Sequence, residues 1–201
     1  MALDLKPTLG VALRDSANAV WTSAEFDTIL SHALEETNRV RPRVVKDVIA
    51  LVEDQDTYVL TNVYTVFRVD LLDASSKVVM PLPAGSWEVW GDNMSPGQTL
   101  YVNPVYANST YQLRVHGYGP YDYTTNTPPL QVQEAIIAVA VADALRRITA
   151  ERARYEQYAA NSPRSDVSVN ELLGQINQAE QNAARLLGDI RLIRRPTYGR
   201  G

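Results

Sequence analysis

Cysteine is missing from all 201 residues, which removes disulfides and thiolate metal sites and fits a chain folded in a reducing cytosol. Histidine occurs only at His32 and His116, far apart and without zinc-ligand spacing, so each reads as a lone surface histidine. A basic excess is also lacking. Nineteen Lys and Arg against 23 Asp and Glu give a formal charge of −4, which excludes the basic footprint of a general nucleic-acid binder. The longest apolar stretch, Ala135 to Leu145, is interrupted by Asp143 and is too short to span a bilayer, so no membrane contact is expected. Residues Met1 to Pro7 show no basic region followed by an apolar run, so a signal peptide is not expected and a soluble protein is.

Catalytic patterns are equally scarce. Gly117 and Gly119 form a close glycine pair, with no phosphate-loop pattern around them. No serine stands in a nucleophile elbow. Asp54 and Asp56 read as turn residues, and Glu35 and Glu36 as a solvated helix face. No catalytic residue, metal site or cofactor is assigned, and enzymatic activity is not expected.

What remains is a clear order of elements. Apolar residues at 45% and charged residues at 21% are those of a globular chain, and the length suits one domain with an appendage. Residues 1–20 have no clear period and read as an N-terminal arm. Thr22 and Glu25 form a capping box, with Trp21 and Phe26 placed as a hydrophobic staple. Phe26, Ile29, Leu30, Ala33, Leu34 and Thr37 then make one helical stripe, giving a helix over about 22–40 that stops before Pro42.

A strand-rich insert follows over about 44–118. Val44 to Val52 fits a strand or a short helix, and Tyr58 to Leu72 alternates as one half-buried antiparallel strand. Shorter strands are expected at Lys77–Met80, Ser86–Trp90, Thr99–Asn103 and Tyr111–His116, separated by turn clusters. Eight of the eleven tyrosines fall between residues 58 and 123, as strand core or as a contact surface. Gly117 to Thr127 reads as a loop, and Thr127 as the cap of a helix over 128–158 whose first half is apolar nearly all round. Asn161 to Val167 breaks the pattern. Ser168 and Glu171 then cap a helix over about 168–192, antiparallel to the one before.

Two features exceed structural need. Asp143 interrupts the apolar helix, either at a solvent-facing edge or against an arginine across an interface. The tail over 193–201, with Arg191 just before it, carries Arg194, Arg195 and Arg200 beside Tyr198, more positive charge than a helix dipole uses. The fold expected is α+β: an antiparallel sheet domain with a helical bundle made from the first helix and a C-terminal helical hairpin, and an extended tail.

Three stretches together resemble the head–tail adaptor (connector or head-completion) family of tailed bacteriophages. They are the Trp-led capped helix ending in Arg41-Pro42-Arg43, the strand block opening at Tyr58-Val59-Leu60 and passing through Trp87 to Tyr111–Val115, and the proline-led helix and its partner over Pro128 to Leu192. Thr61 stands where proline often follows the Tyr-x-Leu step in that family. The resemblance implies an adaptor domain over 21–192 and a virion location at the head–tail interface. It implies a ring, commonly of twelve subunits, beneath the portal, extending the DNA channel without sequence-specific binding and offering a platform to tail proteins. It further implies that Arg191, Arg194, Arg195, Tyr198 and Arg200 form a portal-binding arm, and that Ile136, Ala140, Asp143 and Ala144 pack against neighbouring subunits. The alternative is another virion or surface module whose tyrosine-rich sheet binds protein or glycan.

Overall fold

A computed structural model describes residues 2–15, 19–91, 97–161 and 168–188. The fold is α+β, with helices α1 (Lys6–Ala12), α2 (Ser23–Val40), α3 (Leu130–Ala150), α4 (Arg152–Asn161) and α5 (Val169–Gly188). Between α2 and α3 run β1 (Arg43–Ala50), β2 (Thr57–Leu60), β3 (Thr65–Leu72), β4 (Val78–Pro81), β5 (Trp87–Trp90), β6 (Gln98–Val102) and β7 (Gln112–Gly119). Among the described residues, 2–41 and 121–188 make one compact helical unit and 42–120 a second, strand-built unit.

The helical unit is organised around α3. Val132, Ala135, Ile136, Ala138, Ala140, Ala142, Ala144, Leu145 and Ile148 are all buried, on every side of the helix. The alanines let other helices approach closely, and α1, α2, α4 and α5 all pack on it. On α2, Phe26, Ile29, Leu30 and Ala33 are buried, the large ones each adding about 2 kcal/mol. Its start is the expected capping box: the Glu25 amide donates to Thr22 Oγ1 at 3.3 Å and the Thr22 amide to Glu25 Oε2 at 2.8 Å. The Ser168–Glu171 box at α5 forms in the same way.

The N-terminal arm is corrected. Residues 6–12 are helical, and Leu5, Leu9 and Leu13, four residues apart, enter the same core. Asp15 then fastens the chain to α2 by accepting from the amides of Ala19, Val20 and Trp21 at 2.7–3.1 Å. A single helix over 128–158 is corrected too. Glu151 turns extended, with φ −116° and ψ 108°, and separates α3 from α4. Neither proline nor glycine causes this. A straight helix would carry Tyr158 about 12 Å beyond Ala150 along one axis. The break instead buries Tyr158 and sets the Arg154 guanidinium 4.1 Å over the Trp21 ring, with Glu25 Oε1 at 2.8 Å. At the start of α3 the N-cap is Pro129, not Thr127, and no side chain caps it.

The strand unit has two antiparallel sheets, ordered β1-β7-β3-β4 and β2-β6-β5. Val45, Val69, Leu71, Leu113 and Val115 from the first share one core with Tyr58, Leu60, Leu100 and Val102 from the second. The single strand expected over Tyr58–Leu72 is two strands in different sheets, because the chain leaves one sheet at Thr61 and enters the other at Thr65. A register shift between Val66 and Arg68 makes Phe67 the extra residue of a bulge. The segment Val44–Val52, ambiguous in sequence, is strand over Arg43–Ala50.

β7 also outruns its expected end at His116. Its glycines explain themselves by proximity, since a Cβ on Gly119 would lie 2.1 Å from the Asn62 carbonyl oxygen and one on Gly117 2.4 Å from that of Thr65. The chain leaving β2 crosses here against the backbone of β7. Where the chain re-enters the helical unit, Asn38 of α2 grips the backbone of Tyr121. Its Nδ2 donates to the Tyr121 oxygen at 3.1 Å, and the Tyr121 amide donates to its Oδ1 at 2.8 Å.

The next turn is built on Asp122. Burial pushes its carboxyl pKa up, but hydrogen bonds from the amides of Thr125, Asn126 and Thr124 and from the Thr124 hydroxyl outweigh burial and leave it well below the usual carboxylate range.

Two outcomes follow from this geometry. Gly119→Ala is expected to cost about 1–3 kcal/mol through overpacking against Asn62, read as a lower denaturation midpoint. Gly174→Ala, in open space on α5, is expected to gain about 1 kcal/mol of helix propensity; equal midpoints for the two variants would refute the close crossing. The depressed pKa of Asp122 stabilises the folded chain fully above the unfolded value, about pH 3.9, and this is lost as pH falls through the folded value. Asp122→Asn should therefore lower the melting temperature at pH 7 and flatten its decline below pH 4, and a parallel pH profile in both proteins would refute the assignment.

Candidate functional site

On α3 the residues expected at subunit contacts are already used. Ile136, Ala140 and Ala144 are fully buried within the chain's own helical core. Asp143 is half-buried and meets an arginine, but within its own helix: Arg147, one turn on, donates to Oδ2 at 2.9 Å, and His32 Nδ1 of α2 lies at 3.8 Å. Within the chain, Asp143 is thus paired along its own helix.

Asp143 lines a groove of about 720 Å³ between α2, α3 and α5, together with Val40, Val139, Ala142, Ala183 and Leu187. Its carboxylates are occupied. Glu36 pairs with Arg39, Asp143 with Arg147, and Glu180 with Arg146.

His116 is corrected from a lone surface histidine. Its Nε2 lies 2.9 Å from Oδ2 of Asp70, whose Oδ1 accepts from Arg68 Nε at 2.6 Å. The Asp70 carboxylate is only 2% exposed, and the two partners compensate its burial. Register explains the meeting: on the four-stranded sheet, β7 brings His116 opposite Arg68 and Arg114 opposite Asp70. His116 and Asp70 lie 46 positions apart in the chain, so no local spacing betrays them.

The tyrosines divide between core and surface. The Tyr58 hydroxyl is spent on the Gln55 carbonyl at 2.8 Å and that of Tyr123 on the Leu30 carbonyl at 2.8 Å. Burial raises the pKa of Tyr64, Tyr123 and Tyr158, so these phenols stay neutral at physiological pH. Tyr101 differs. It stacks on Trp90 at 5.3 Å between ring centroids, on the outer face of the three-stranded sheet. Trp90 is 48% exposed and Val59 of the same face 66%. This is an aromatic surface rather than core.

Arg191, Arg194, Arg195, Tyr198 and Arg200 lie outside the described residues, as do residues 189–192 of the last expected helix and 162–167 of the expected break. Among the described residues no group of three or more His, Asp or Glu is arranged to hold a metal ion, and no helix is long and apolar enough to cross a membrane.

No family model matches the chain, and no curated protein does. Three solved structures similar to it come from gene transfer agent particles. The neck of an empty particle computed with C6 symmetry is 13% identical, with 89% of each chain covered and a TM-score of 0.33. The neck of a native particle computed with C12 symmetry is 14% identical, covering 89% of this chain and 91% of that one, with a TM-score of 0.32. A chain of the native virion is 11% identical, covering 89% and 93%, with a TM-score of 0.31.

Proposed function

We propose that the protein is a structural component of a phage-like virion: a head–tail adaptor that assembles as a ring, commonly of twelve subunits, beneath the portal. It extends the DNA channel, offers a platform to tail proteins and performs no catalysis. The observation that carries this reading is the order of elements quoted above, a Trp-led capped helix, a strand block and a proline-led alanine-rich helix with its partner, the layout of that family. The surface chemistry agrees with it. The groove between α2, α3 and α5 is lined by arginine-paired carboxylates, and the exposed features are faces and grooves. Proteins that act by fitting against neighbours need such surfaces more than convergent titratable groups.

In this reading residues 191–201 are the portal-binding arm. Arginine forks suit bidentate contacts to carboxylates on a partner. Repetition around a ring multiplies a weak contact. Ile136, Ala140 and Ala144, being covered by their own unit, support subunit packing from within, by holding α3 rigid. A second reading has one observation in its favour, the exposed Trp90–Tyr101 pair, which suits a protein or glycan partner.

Co-sedimentation with the portal oligomer from the same source, followed by electron microscopy, tests both. A symmetric collar is expected, lost on deletion of residues 191–201 and retained by Trp90→Ala. Undiminished portal binding by the truncated chain would overturn the arm. Absence of any collar, with a Trp90-dependent glycan or protein contact, would overturn the adaptor reading in favour of the second.

A further inference from the structure

The outer face of the four-stranded sheet separates charge from the rest of its unit. Two rungs of the ladder define it. In one, Lys46, His116 and Arg68 lie side by side across β1, β7 and β3; in the next, Val48, Arg114 and Asp70 do. Three fixed positive charges thus share the face with a single carboxylate, and that carboxylate is buried and already held by Arg68 and His116. Arg114 spends one nitrogen on the Ser76 carbonyl at 3.1 Å, and Lys46 makes no ion pair among the described residues. Val44 and Val48, 46% and 49% exposed, flank Lys46 on β1. The face is apolar with a positive centre.

The same unit carries the opposite pattern just beyond the end of β1. Val52, Glu53, Asp54 and Asp56 form its turn into β2, with Val52 half-exposed and none of the three carboxylates in an ion pair among the described residues. This turn is rigid. The Gln55 amide donates to the Val52 carbonyl at 3.2 Å, the Tyr58 hydroxyl donates to the Gln55 carbonyl at 2.8 Å, and Asp54 holds a positive φ of 61°. Valine with acid on one surface and valine with base on another make two complementary, non-overlapping patches.

A chain bearing both members of such a pair joins its own copies head to tail, and a head-to-tail contact closes into a ring when its rotation permits. The lysine in the middle of edge strand β1 discourages edge-to-edge strand pairing, which leaves the face as the contact.

We propose that the outer face of this sheet, centred on Lys46, Arg68 and Arg114, docks the acidic Val52–Asp56 turn of a second copy of the chain. The inference rests on the self-assembling part of the proposed function and gives that assembly its contact. A nucleic acid would favour the cations alone. The exposed valines flanking Lys46 offer phosphates no donor, so the face suits a protein partner.

The test uses the natural lack of cysteine. Full-length Lys46→Cys and Glu53→Cys proteins are mixed and oxidised, and mass is followed by non-reducing gel. Each variant chain carries one cysteine, so a bridge inside one chain cannot form. A disulfide dimer is expected in the mixture and not with either variant alone. In parallel, sedimentation velocity is run on Lys46→Glu, Glu53→Lys and the double variant. Each single reversal should weaken self-association at least about tenfold, and the double should restore it. Both side chains are exposed, so unchanged melting temperatures are expected and check the fold.

No mixed disulfide, or no rescue by the double reversal, overturns the contact. If Lys46→Glu instead abolishes retention of a DNA duplex and leaves the oligomer unchanged, the face belongs to nucleic acid and the proposal fails. Portal co-sedimentation of the same variants separates the two claims. Portal binding retained without this contact leaves the adaptor reading standing, and the contact without portal binding leaves the self-association standing.

Discussion

A helix that is apolar on every side must be surrounded, and α3 imposes that requirement on the whole helical unit. Its alanines remove the bulk that would keep neighbours at a distance, so α1, α2, α4 and α5 each find a strip of it. The other features of the unit answer the same demand. Leu5, Leu9 and Leu13 fold the N-terminus onto the core, and the break at Glu151 brings Tyr158 into it. Arg154, clasped by Trp21 and Glu25, fixes α4 where the break has sent it. Propensity alone would not form helices as short as α1 or α4, and burial against a common partner does.

The sequence was most legible where the signal is local. Capping boxes at Thr22 and Ser168 are written within four residues, and both form. The α+β class could be read because the hydrophobic period changes from about 3.6 to 2 near Val44 and back after Thr127. It was least legible where chain-distant geometry decides. The division of Tyr58–Leu72 into two sheets depends on a crossing against Gly117 and Gly119, and no alternation of side chains marks where a strand changes sheet. The arm over residues 1–20 looked aperiodic because its helix is only two turns long. The Leu5–Leu9–Leu13 spacing was nevertheless there to be counted.

The candidate surfaces show the same split. Asp143 stood out because a charge in an apolar helix demands a partner, and the chain supplies one four residues away on the same helix. His116 looked isolated because its companions, Arg68 and Asp70, come from another strand through register alone. The positive face shared by Lys46, Arg68 and Arg114 escapes any count of net charge, since acidic residues outnumber basic ones over 42–120. Formal charge describes the chain, whereas partners meet its arrangement in space.

The strand unit leaves and rejoins the chain at one place. β1 begins at Arg43 directly opposite Gly119, the last residue of β7, while Asn38 holds Tyr121 beside the end of α2. An insertion whose two ends are neighbours places little demand on the host that carries it, because the host loop is closed by the host itself. The helical unit and the strand unit can therefore change sequence at different rates. One keeps the packing that α3 requires while the other is remodelled, or exchanged outright, to suit a new neighbour.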